Sequence, residues 1–152
     1  MKLIYSFILI GLFLSCSLCQ AAEGSWQGTG SFLNDSLIAP VSIDMTLSIS
    51  LSESTFTIED CWKNSALRMD HCNHSAYQVN DSGQIFDMGV KIGDIFPGYI
   101  IIFIGNDQVS EQMIFNFEQS DFEKSKSLRY QYSFTAYDGV SQSRRGELKK
   151  PN

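Results

Sequence analysis

The stretch CWKNSALRMDHCNH, residues 61–74, gathers two thiols and two imidazoles into one short segment. Two chemistries use these residue types. One is a metal centre from Cys61, His71, Cys72 and His74; the other is a disulfide from Cys61 to Cys72. Adjacent ligands such as His71 and Cys72 point to opposite faces of an extended chain, and structural zinc sites favour C-x-x-C spacing, so the metal reading is the weaker one. The disulfide closes the loop 61–72 between neighbouring strands and contributes a little under ~3 kcal/mol on a chain-entropy estimate. Catalytic patterns are incomplete. GVSQS at 139–143 misses the G-x-S-x-G elbow at its last position and lies on a hairpin. H-E-x-x-H is absent, and Asp70 with His71 supplies half a dyad without a third group. The carboxylates are dispersed, which is the pattern of a solvated surface. The glycines of GSWQGTGSF, residues 24–32, fail as a phosphate cradle, because Leu33 stands where G-x-G-x-x-G needs its third glycine and another strand follows. The expectation is a protein that is not an enzyme and holds no cofactor.

The start of the chain sets the compartment. Lys2 precedes an apolar run at 3–14 that is too short to span a bilayer, followed by small residues. This predicts an export signal over residues 1–22, cleaved after Ala21 or Ala22, and a single domain over 23–152, delivered to a periplasm or the extracellular space. FLSC, ending at Cys16, partly matches a lipoprotein box, with Phe13 in place of the usual aliphatic residue, so Cys16 offers an alternative lipid anchor. Cys16 and Cys19 spell C-x-x-C, but in a segment that is removed the pair has no redox role. Exported thiols pair, which favours the Cys61–Cys72 disulfide. Loss of Lys2 takes the net charge from −6 to −7, which gives no electrostatic help toward nucleic acid or anionic lipid. Neither nucleic acid nor a membrane span is expected. Asn34-Asp-Ser, Asn73-His-Ser and Asn80-Asp-Ser are glycosylation acceptors only in a eukaryotic secretory pathway.

The elements that must position these groups are strands. Residues 41–52 alternate apolar and polar without a fault, the pattern of an antiparallel strand with one wet face. At about 3.3 Å per residue this strand spans roughly 40 Å, long enough to coil round a barrel. Further strands are expected at 55–61, 75–79, 84–88, 90–95, 99–104 and 112–118. Leu128, Tyr130, Tyr132 and Phe134 alternate with polar residues, and Asp138-Gly139 predicts a type I′ turn into a return strand at 140–148. Only 63–70 and 120–126 could hold a helical turn. The fold class is all-β, an antiparallel up-and-down barrel of eight to ten strands.

In a first strand, Trp26, Gly28, Gly30 and Phe32 share one face. Gly24-Ser25-Trp26 resembles the G-x-W element of the calycin superfamily, the lipocalins, fatty-acid-binding proteins and nitrobindin-like barrels, and the fuller G-x-W-x-G-x-G form of the last group is matched throughout. The resemblance implies that a basic residue of the last strand, Arg144 or Arg145, packs over Trp26. Parity alone does not choose between the two. The T-D-Y element and the helical lid are missing, and with no histidine after His74 haem binding does not carry over.

Two functions are compatible with this sequence. In one, the barrel binds a small hydrophobic molecule among Ile43, Met45, Leu47, Ile49, Tyr130, Tyr132 and Phe134. In the other, those side chains fill the barrel and the protein acts through its outside, as an inhibitor, adhesin or envelope component.

Overall fold

A computed structural model describes residues 22–152. The expected export signal over residues 1–22, with Lys2, Cys16 and Cys19, therefore lies outside the described residues except for Ala22, which opens the first strand. Ten strands follow one another: β1 (Ala22–Asn34), β2 (Val41–Leu51), β3 (Thr55–Asn64), β4 (Met69–Val79), β5 (Gln84–Asp87), β6 (Val90–Phe96), β7 (Tyr99–Gly105), β8 (Val109–Phe117), β9 (Ser127–Ala136) and β10 (Ser141–Lys149). Each pairs antiparallel with its neighbour, and β1 pairs with β10, so the sheet closes into an up-and-down barrel. Among the described residues there is no helix: of the two segments with helical potential, 120–126 is bend and turn, while 63–70 is the end of β3, a turn over 65–68 and the start of β4.

The period-two pattern explains which face is which. On β2, Ile43, Met45, Leu47 and Ile49 are buried, while Ser42, Asp44 and Thr46 are exposed. Phe56, Ile58, Ile100, Ile102, Phe115, Leu128 and Leu148 complete a continuous apolar core. A barrel in a lipid bilayer would need an apolar band outside, the opposite of what β2 presents.

The connections sort by end. A meander of ten strands places the β1–β2, β3–β4, β5–β6, β7–β8 and β9–β10 links at one end and the others, with both described chain ends, at the opposite end. The opposite end is plugged by the β8–β9 loop: Phe122 packs on Phe117, with ring centroids 5.6 Å apart, and the Trp26 Nε1–H donates to the carbonyl of buried Ser125 at 3.1 Å. Gly24 is required there, since a Cβ on it would fall 2.1 Å from the Trp26 ring. Gly30 permits the close approach of β10, because its Cβ would meet the Arg145 carbonyl oxygen at 2.6 Å.

The turn at Asp138-Gly139 differs from expectation. Only Gly139 has positive φ, at 88°, and its N–H donates to the Ala136 carbonyl, which describes a type I turn closed by a glycine bulge. The type I′ geometry occurs instead between β5 and β6, where Met88 and Gly89 have φ of 47° and 81°.

Candidate functional site

The end opposite the plug is hollow. A cavity of about 510 Å³ is lined by Asp60 and Trp62 of β3, His71, Asn73 and Ser75 of β4, Glu111 and Met113 of β8, Tyr132 and Phe134 of β9, and Gln142 and Arg144 of β10. Strand length opens it to one side. β5 has four residues and joins β4 only at Gln78 and Val79, so the stretch 69–77 of β4 is paired on its β3 side alone.

Charged groups form the floor. Arg144 reaches across the barrel from β10 to β3, where Nη2 lies 2.5 Å from Asp60 Oδ2, and Tyr130 donates its hydroxyl to the same oxygen at 2.9 Å. All three are buried: Arg144 is 2% exposed and Asp60 3%. The Arg144 guanidinium also lies over the Tyr132 ring at 3.9 Å and near the Trp62 ring at 5.3 Å. Trp62 stacks on Phe32, with centroids 4.9 Å apart, and meets the His71 ring at a tilt of 50°, with centroids 5.5 Å apart. Asp60 thus neutralises a guanidinium that aromatic faces hold in place.

The pairing is incomplete. Asp60 Oδ1, Arg144 Nε and Trp62 Nε1 are buried with no hydrogen-bond partner among the described residues. An unsatisfied buried donor or acceptor costs about 1–3 kcal/mol, so three around one cavity mark a surface suited to a polar guest. Higher in the cup, burial raises the pKa of the Glu111 carboxyl, and attraction to Arg144 and a hydrogen bond with Tyr132 offset this only in part. Burial likewise pushes the Tyr132 phenol up, and Tyr130 far up. His71 Nε2 meets Asn73 Oδ1 at 2.8 Å.

The residues singled out in the sequence separate into groups. Tyr132 and Phe134 line the cup. Ile43, Met45, Leu47, Ile49 and Tyr130 are packed inside the core, with at most 2% exposure each. Trp26 is fully buried, but the cation over its ring is Lys150, at 5.3 Å, and neither arginine. Register is the reason: Gln27 pairs with Lys149, whereas Arg144 pairs with Phe32 and Arg145 with Ser31. Six residues along a strand is about 20 Å, beyond the reach of a guanidinium. Arg145 faces outward and is exposed. Cys61 and Cys72 are register partners joined by a disulfide, which removes both thiols from any metal site.

Sequence reading missed Asp60, Trp62, Glu111 and Gln142. A signal for Asp60 was present: it continues the inward parity of Phe56 and Ile58, and an acid at such a position must find a partner inside. Dispersed carboxylates are not all surface groups. Compared with protein-family models and with curated proteins, the chain matches none.

Proposed function

We propose that this protein is an exported binding protein without catalytic activity, which takes a small molecule into the cup at the open end of its barrel. The observation that carries the reading is the cavity whose floor holds three buried, unpartnered polar atoms. A solid apolar core lies beneath it, so the guest sits at the mouth and carries polar groups, in contrast to a wholly apolar molecule buried along the barrel axis. The Cys61–Cys72 disulfide supports export, since such bonds persist in oxidising compartments. Ligand-observed NMR with a fragment mixture tests the reading, with Ser75→Phe as the control that fills the cup. Fragments should bind the native protein and lose their signals with the variant; fragments that bind both equally, or none at all, would refute it.

A second reading has its own observation. Ile38, Leu67, Met88, Tyr137 and Val140, all at or beside links of the open end, are exposed large apolar residues. They favour a protein that engages a macromolecule by its rim. Replacing Ile38, Met88 and Tyr137 together by serine should leave fragment binding intact under the first reading, and should abolish capture of a partner under the second.

A further inference from the structure

The ligand class follows from the charges that face the cup, and this inference rests on the cup being the binding site. Asp60 is spent on Arg144, at 2.5 Å, so that pair is close to neutral. Among the described residues no cation forms an ion pair with Glu111, which lines the same cup. The cup therefore carries one carboxylate in excess, beside the Phe134 and Tyr132 rings. Asp60 Oδ1, nine-tenths buried and unpartnered, adds a second acceptor. An anion would meet two carboxylates and find the one guanidinium already paired.

We propose that the cup binds a small protonated amine, its ammonium donating to Glu111, its apolar body lying against Phe134 and Met113, and a hydroxyl at its far end donating to Asp60 Oδ1 at the floor. Arg144 Nε and Trp62 Nε1 are unpartnered donors at the floor, so an acceptor such as a hydroxyl at the far end of the amine would satisfy them. Aromatic faces next to a carboxylate favour a cation twice, through the ring quadrupole and through direct charge. The acidic net charge of the chain, −6, draws cations toward the protein at low salt.

Tyramine, its neutral analogue 4-hydroxyphenethyl alcohol and its anionic analogue 3-(4-hydroxyphenyl)propionate are matched probes that differ at one end. Calorimetric titration at pH 7 should give tyramine a roughly ten- to hundred-fold tighter Kd than the alcohol, the range for a hydrogen bond to a charged group, and the anion should bind weakest. Glu111→Gln should remove most of that preference while the alcohol binds as before. Burial holds the Glu111 carboxyl above the ordinary carboxylate range, so the preference for tyramine should fade as pH drops through that raised value. Asp60, His71, His74, Tyr77, Tyr132 and Arg144 face or flank the same space, and the comparison with Glu111→Gln separates its titration from theirs. Equal affinity for amine and alcohol, or tightest binding of the anion, would overturn the amine assignment and leave the cup as a binding site. Failure of all three probes while other fragments bind and are excluded by Ser75→Phe would do the same. A Glu111→Gln protein that keeps the full preference would overturn the role of Glu111.

Discussion

Arg144→Met is the most informative single perturbation of this barrel. Methionine keeps much of the length and apolar stem of arginine, so the change removes charge more than volume. It strands Asp60, 3% exposed, without its cation and leaves Tyr130 as the one donor to its carboxylate. Breaking one side of a buried ion pair costs about 3–5 kcal/mol, and loss of the guanidinium from the Tyr132 face adds to it. Domains of this size are stable by ~5–15 kcal/mol, so the variant should fold with a visibly lower urea midpoint. Trp26 and Trp62 are the two tryptophans and report the unfolding by fluorescence. The triple variant Asp60→Leu, Tyr130→Phe, Arg144→Met removes all three polar partners together and should recover most of the loss, because the main penalty is a charge left alone. A loss below about 1 kcal/mol for Arg144→Met, or a triple variant less stable than the single one, would refute the account of Arg144 and Asp60 as a mutually dependent buried pair.

Trp26→Ala should destabilise by about 3–5 kcal/mol in the same assay, the cost of deleting a buried aromatic. Lys150→Ala should cost under ~1 kcal/mol, and Trp26→Ala should add to Arg144→Met without coupling, since the two sites share no contact. Thiol titration of the denatured, unreduced protein should find neither Cys61 nor Cys72 free, and Cys61→Ser with Cys72→Ser should lower stability by up to ~3 kcal/mol. Glu111 is raised by burial, so the native state binds its proton more tightly than the unfolded chain does. Its charged form therefore weighs against folding above the raised value, and that weight lifts as pH falls toward the ordinary range. Glu111→Gln should accordingly be more stable than the native protein at pH 7, with the difference vanishing in acid; the same stability difference at pH 7 and in acid would contradict this.

Alternation in the sequence was sufficient for most of the strands and for their inward faces; β4, expected from residue 75, begins at Met69, because its first half carries polar residues on both faces and shows no alternation. The run 41–52 and the row Leu128, Tyr130, Tyr132 and Phe134 point inward in the barrel as their period of two requires, because side-chain direction along a strand is local geometry. The disulfide was legible for a similar reason, as the expectation of export left Cys61 and Cys72, the two thiols beyond the first 22 residues, to pair with each other. Register, closure and strand length were not legible. The residue opposite Trp26 depends on how β1 slides against β10, and a shift of a few residues replaces an arginine by Lys150. The meeting of Arg144 with Asp60 joins positions 84 residues apart, across an interior that exists only once β1 and β10 have closed the sheet. The cup likewise follows from β5 being too short to wall β4, a property of pairing between strands and of no single segment. Local pattern determined what each strand presents to the inside; closure alone decided which of those groups meet and where space is left between them.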